Sequence, residues 1–497
     1  MSAGSETDTL KILMATPEVD PFIKIGGLAD VVGALPKELG ALGHDVRIVC
    51  PLYGGVKRLG DWTELPGVLI VNLGYGAEYG KVWQVTLPGV AATFYFIEHE
   101  QYFGREEVYA GPWGDHKDND RRFTFLSRAA IDLCYFLDWK PDVIHCHDWT
   151  TGLLPVMLNT SERGTKMEDV ATVMTIHNLK FQGIFRRETI HHARIPADYF
   201  RPDGLESMGF VNMMKGGLYH ATKLTTVSPT YAREIQGPVG GCGLHFVLKY
   251  RAADLIGILN GIDTDVWNPV VDPHITSNFS SADIGGKAQC KAALQETLHL
   301  DVNSDKPVFG VVARLFEQKG LDILASIIDG LMEHTDMQLA VLGTGDAHLE
   351  HLFSDAACRY PGRVGVYIGF SNPLAHQLIA GSDFLIMPSR FEPCGLTQMY
   401  AMRYGTLPVV RNTGGLSDTV DPYVPEAGTG TGFRFDESSD HALYHTIEWA
   451  HDVYHRRPEA IEAMRLRAMA RDSSWRQSAQ DYADVYRWSV QTRRSMG

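Results

Sequence analysis

FLIMPSRFEPCGLTQMYAMRYGTLPVVRNTGGLSD, residues 384–418, opens with an apolar run, Phe384-Leu385-Ile386-Met387, that reads as a buried parallel strand. Pro388 stops it. Residues 389–393 then turn the chain into a helix expected to start near Gly395, with Ala401, Met399 and Met402 on its apolar face. Glu392 falls in the loop, and Cys394, Gly395, Leu396 and Thr397 fall at the helix start. Unpaired N–H groups at a helix start suit a phosphate. A carboxylate beside them suits sugar hydroxyls instead. Together they point to a nucleotide-sugar site.

Working outward, the second half of the chain repeats this pattern. Val308–Ala313 reads as a strand, with Arg314 just past its end and Lys319-Gly320 following, a pair of cations able to neutralise a diphosphate. Strands are also expected at 338–342, 364–368 (ending at Gly369-Phe370) and 407–410, the last followed by Arg411 and Gly414-Gly415. From Asp440 the chain is read as helical, with Trp475, Tyr482, Tyr486 and Trp488 as apolar anchors.

The first half is a second α/β series. Lys11–Ala15 is a strand, and Lys24-Ile25-Gly26-Gly27-Leu28-Ala29-Asp30 leads into a helix over 28–42. Lys24 with Gly26 and Gly27 reads as a cap over a diphosphate or as an ordinary turn; it is not the GxGxxG of dinucleotide folds. Val143–Cys146 and Thr172–Ile176 are strands carrying His147-Asp148 and His177-Asn178 at their C-terminal ends, where open α/β sheets bind ligands. His145 and His147 are read as lying on opposite faces, and with no complete ligand set this weighs against a metal. Residues 98–122, which include Tyr102, read as a binding loop or flap. Residues 263–290, after Asn260-Gly261-Ile262-Asp263, read as the start of an interdomain link.

A length of 497 residues allows two or three domains. The formal charge of −15 argues against nucleic acid as a partner. Seven scattered cysteines, without CxxC or zinc spacing, fit a reducing compartment. The polar N-terminus is unlike a signal peptide, and no apolar run approaches the ~20 residues of a membrane span. A cytoplasmic protein without nucleic-acid or membrane partners is expected.

The ordered set of motifs resembles the bacterial glycogen synthase and plant starch synthase family: Lys24 to Val31, His147-Asp148-Trp149, His177-Asn178-Leu179, Leu259 to Asp263, Arg314 with Lys319-Gly320-Leu321, and residues 388–398 with Thr413 to Leu416. The resemblance runs from about residue 11 to 490. It implies an α/β GT-B fold, two Rossmann-like domains with parallel sheets facing across a deep cleft. The domains are expected at 1–262 (glucan side) and 263–475 (donor side), with 476–497 packing back on the first. It implies retaining transfer of glucose from ADP-glucose to the non-reducing end of an α-1,4-glucan, releasing ADP, with no cofactor and no metal.

The family roles map residue by residue. Glu392, His177, Asp148, Arg314 and Lys319 take the catalytic positions. Lys24, Gly26, Gly27, Asn260, Phe370, Cys394, Gly395, Leu396 and Thr397 take the donor, with Phe370 near the adenine. Asp30 and Tyr102 take the acceptor side. Two departures stand out. Eight positions after Glu392, where broader relatives carry a second glutamate, stands Tyr400, as is usual in glycogen synthases; and Thr150-Thr151 follows the HDW motif where many relatives have His-Ala or Ser-Ala, which bears on acceptor contacts. Closure of the two halves about 260–263 is expected to exclude water. The residues leave UDP-glucose, another acceptor, or a non-catalytic glucan or nucleotide binder as alternatives.

Overall fold

The computed structural model describes residues 9–495, which divide into two compact units, 9–261 with 475–495, and 262–474. In the first unit seven strands run parallel. Across the sheet they are Leu255–Gly257, Lys223–Thr226, Ala171–Ile176, Val143–His147, Lys11–Ala15, Asp45–Pro51 and Ala92–Glu98. Gly76–Thr86 then pairs antiparallel with Ala92–Glu98 and carries Asp61–Glu64 and Leu69–Leu73. The central strands are apolar nearly throughout because helices cover both faces: Ile12, Met14, Val143, Ile144, Val173 and Met174 are all buried.

In the second unit the sheet is all parallel, in the order Val364–Ile368, Gln338–Gly343, Val308–Val312, Phe384–Met387, Leu407–Arg411, Phe433–Phe435. In both sheets the first strand of the series lies inside, and later strands add on either side of it. Each therefore has one switch point, where the loops leaving two neighbouring strands diverge and open a crevice. In the first unit it lies between Lys11–Ala15 and Val143–His147; in the second, between Val308–Val312 and Phe384–Met387.

The last helix, Trp475–Ser495, packs on the first unit against the helix Gly27–Ala41 and the strand Ala171–Ile176. Its Tyr486 hydroxyl lies 2.8 Å from His145 Nδ1. The chain leaves and re-enters the first unit at neighbouring points, since Ile262 N donates to Ser473 O at 2.8 Å.

Two segments differ from their sequence reading. Residues 98–122 are not a free flap. Arg122 is fully buried and donates to the Tyr102 and Val108 carbonyls at 2.6 and 2.8 Å, pinning the segment from within. Residues 263–290 are not a link but part of the second unit's body. Buried Asp272 takes hydrogen bonds from His376 Nδ1 (2.7 Å) and the Tyr404 hydroxyl (2.5 Å), and Trp267 is stacked between His376 and Tyr400 at 3.8 and 3.9 Å. Their polar residues are paired inside, so composition alone mimicked a loop. No helix of the described residues is long and apolar enough to cross a membrane.

Candidate active site

In the second unit the switch-point loops bring Lys319 and Glu392 together. Lys319 closes a short turn, Glu317–Lys319, after the strand Val308–Val312. Glu392 follows the strand Phe384–Met387 and is 5% exposed. Its Oε2 accepts from Lys319 Nζ at 2.6 Å and from Ser389 Oγ at 2.9 Å. The loop is braced from behind: Gly415 N donates to Glu392 O at 3.0 Å, and Gly414 sits at φ 46° where a Cβ would overlap that same carbonyl. Arg390 anchors the other side through two bonds to the Asp322 carboxylate, 2.6 and 2.7 Å.

Cys394 is buried, and Gly395, at φ 73°, leads into Leu396 and the helix Thr397–Arg403. That helix starts two residues later than expected and is under two turns long, so its dipole is small. Gln398 holds its start by donating to the Cys394 and Gly395 carbonyls at 3.1 and 2.9 Å. Arg314 is exposed, its guanidinium 5.6 Å from the Phe316 ring. Phe370 is 85% exposed at the end of the strand Val364–Ile368, two strands from the switch point.

At the first unit's switch point, Lys24 and Gly26 lie on the loop after Lys11–Ala15 and Gly27 and Asp30 in the first turn of the helix it leads into, while Asp148 and His177 follow the neighbouring strands Val143–His147 and Ala171–Ile176. A residue the sequence reading missed organises them. Glu18, 3% exposed, accepts from Ile25 N (2.5 Å), Gly26 N (3.0 Å) and the Tyr109 hydroxyl (2.9 Å). Burial pushes its carboxyl above the usual range, against the pull of those three donors. The amides of the Gly-Gly loop are thus held by a carboxylate of the same chain. Lys24 bonds to Asp30. Burial works against its charge, but the Asp30 and Asp20 carboxylates prevail and hold it above the usual lysine value.

Asp148 adopts φ 55°, ψ −170°, a conformation that costs a non-glycine residue roughly 1–3 kcal/mol. Its Oδ1 accepts from His177 N at 2.8 Å, which ties the two strand ends together. Thr150 and Thr151 face inward: both hydroxyls donate to the His147 carbonyl, at 3.2 and 3.0 Å, and fix this turn. Burial raises the Asp148 carboxyl to about 7.

The faces of His145 and His147 require correction. Residues two apart on a strand share a face, and their ring centroids are 4.1 Å apart. His147 Nδ1 meets His177 Nε2 at 3.0 Å. The three tilted rings form a row from Tyr486 to His177, with His145 and His147 buried and His177 partly so, and burial lowers His145 and His177 to about 3, so these two imidazoles are neutral. They form no three-ligand cluster among the described residues.

Asn260 lies at the end of the strand Leu255–Gly257, and its buried Oδ1 has no hydrogen-bond partner among the described residues. Tyr102 is placed elsewhere: its ring is buried and stacked on His99 at 4.4 Å, so it offers no face to an acceptor sugar.

Residues 11–250 match the starch synthase catalytic domain family, and residues 298–467 match the glycosyl transferases group 1 family. The chain is 47% identical over 492 residues to glycogen synthase 1 of Geobacter sulfurreducens, covering 98% of both chains. It is 44% identical over 482 residues to glycogen synthase of Geobacillus stearothermophilus, covering 96% of this chain and 97% of that one. Among solved structures, the catalytic domain of starch synthase IV from Arabidopsis thaliana, bound to ADP and acarbose, superposes with a TM-score of 0.89 at 34% identity, covering 97% of this chain and all of that one. A sucrose-phosphate synthase from Thermosynechococcus elongatus shares the fold, with a TM-score of 0.58 at 16% identity over 96% and 98% of the two chains.

Proposed function

We propose that this chain, which belongs to the glycogen and starch synthase family and is a glycosyltransferase of GT-B fold, moves glucose from ADP-glucose to the non-reducing end of an α-1,4-glucan with retention of configuration. The observation that carries this reading is the pair formed by buried Glu392 and partly exposed Lys319 at the second unit's switch point. A buried acid next to a cation suits a substrate that presents hydroxyls and phosphate side by side. The Arabidopsis structure, with ADP and acarbose bound, supports an adenosine diphosphate donor and a glucan-like acceptor.

In the reaction, the bond from glucose C1 to the diphosphate oxygen breaks. The bond from C1 to the acceptor's 4-oxygen forms on the same face. The acceptor hydroxyl proton passes to the departing phosphate oxygen. Negative charge grows on the phosphate and positive charge on the sugar, so the groups that matter are those aimed at the phosphate. Arg314 and Lys319 take that role, with the backbone from Gly395 to Thr397 at the distal phosphate and Phe370 by the adenine. Glu392 accepts from glucose hydroxyls once Lys319 turns to the phosphate.

His177 and Asn260 are assigned to the sugar, and Lys24 with Gly26 and Gly27 to the donor. Asp148 holds the His177 backbone, and Asp30, paired with Lys24, serves the acceptor side. A neutral imidazole at His177 serves as a hydrogen-bonding group rather than a cation. Protein cations occupy the role a metal would otherwise fill, and Asp148 and Glu392 are both committed to positioning, which leaves the front-face route over a covalent intermediate.

The test is glucose transfer to glycogen from ADP-glucose and from UDP-glucose, with EDTA present, for wild type and Glu392→Ala. Turnover that prefers ADP-glucose, resists EDTA and falls at least a hundredfold in the variant is expected. Equal use of UDP-glucose would overturn the donor assignment, and loss of activity with EDTA the metal independence.

A further inference from the structure

We propose that Asp336, His451 and His455 form a structural zinc site that ties the helix Asp440–Arg456 to the start of the strand Gln338–Gly343. His451 Nε2 lies 2.6 Å and His455 Nε2 3.0 Å from the same atom, Asp336 Oδ1. The three ligand atoms all lie within 4.8 Å of one another. The histidines are four residues apart on one helix, so they project from one face on successive turns. The same i, i+4 spacing places two imidazoles on zinc in other proteins.

Two adjustments are needed, one at the carboxylate and one between the two imidazole nitrogens, which lie within 4.8 Å of each other. Tetrahedral zinc, with bonds of ~2.0–2.2 Å to nitrogen and oxygen, sets its ligands roughly 3.3–3.5 Å apart. Asp336 must therefore recede from each imidazole by less than about 1 Å, and its side chain, 49% exposed, is able to swing. Two imidazoles and one carboxylate, with a fourth position open to water, suit zinc and its neighbours cobalt and nickel; magnesium and calcium prefer all-oxygen sites.

The position decides the role. Asp336 precedes its strand, at the N-terminal edge of the second unit's sheet, whereas Arg314, Lys319 and Glu392 follow the C-terminal ends of theirs. One strand length, ~20 Å for six residues, separates the two edges. The ion would act as a clamp and take no part in transfer. An internal control exists on the same helix: His441 and His445 are also four apart, with ring centroids 4.4 Å apart, yet no carboxylate joins them in a three-ligand cluster among the described residues.

The experiment uses the full chain, stripped with EDTA and dialysed, then titrated with Zn2+ by calorimetry. Co2+ replaces it to report coordination by visible absorption. Expected are one site of micromolar affinity or better, an intense tetrahedral cobalt spectrum, and a melting temperature several degrees higher with zinc. His455→Gln and Asp336→Asn should each weaken binding at least tenfold while leaving the metal-free melting temperature within about 2 °C and the transfer rate unchanged. The double variant His441→Gln/His445→Gln should bind as wild type does. Binding weaker than 100 µM, several equivalent sites, or equal loss in the control variant would overturn the proposal, leaving the cluster as an ion pair only.

Discussion

Lys319 Nζ sits 2.6 Å from Glu392 Oε2, a cation from one loop of the second unit's switch point closed on an acid from the other. Truncating one member leaves the other's charge unpaired in a place where Glu392 is nearly inaccessible to water. Lys319→Met should therefore cost about 2–3 kcal/mol of stability, less than a fully buried pair because the lysine retains some exposure. The double variant Lys319→Met/Glu392→Gln should recover at least 1 kcal/mol of that, or about a fivefold gain in the folding constant. Urea melts of the four proteins measure it; strictly additive losses would show that the pair is not coupled.

Gly414 and Gly26 should behave oppositely as alanines. A Cβ on Gly414 runs into the Glu392 carbonyl at a positive φ, so Gly414→Ala should lose about 3 kcal/mol or more. Gly26 has an extended backbone and nothing within 4 Å of a Cβ. Gly26→Ala should melt within about 0.5 kcal/mol of wild type, and any defect should appear as a raised KM for the donor. Equal destabilisation of both variants would contradict the placement of these loops.

Asp148 gives the folded chain a pH dependence of known sign. Burial sets its carboxyl at about 7, against about 3.9 in an unfolded chain. The folded state therefore keeps the proton over that interval while the unfolded state releases it. Ionisation works against folding, and the penalty grows as pH rises from about 4 to 7, then stays constant. Relative to Asp148→Asn, wild type should lose about 1–2 kcal/mol between pH 5 and pH 8, a partly solvated carboxyl feeling less than the full shift. A stability gap that is the same at both values would refute the assignment.

Tyr486→Phe removes the hydroxyl that meets His145 Nδ1 and leaves a buried imidazole nitrogen without that partner. A loss of about 1–2 kcal/mol is expected. Because the row of rings runs on through His147 to His177, the variant should also lower kcat for transfer, while the Kd for ADP stays as in wild type. A fall in stability with no change in kcat would confine Tyr486 to packing.

Elements whose ends are marked by proline or glycine were legible in the sequence. Lys11–Ala15, Val364–Ile368 and Phe384–Met387 fall where the apolar runs predict them, and so do the polar residues at their C-terminal ends. What was not legible depends on pairing. Glu18 stands in an unremarkable run, PEVDP, and only the fold brings the Ile25 and Gly26 amides onto it. Asp272 and Arg122 read as loop residues, because a charged side chain looks solvated until the carbonyls, imidazole or phenol that satisfy it are seen. The clustering of Asp336 with two histidines over 110 residues later was hidden for the same reason.

The helix Trp475–Ser495 belongs to the unit that the chain begins. On the ribosome, residues 9–261 emerge before 262–474, and they lack the helix that covers His145 until those have been made. The second unit, continuous from 262 to 474, has all its strands before then. The first unit, begun before the second, is thus finished after it, and a polypeptide ended at 474, however complete its second unit, would carry an open seam along its central histidines.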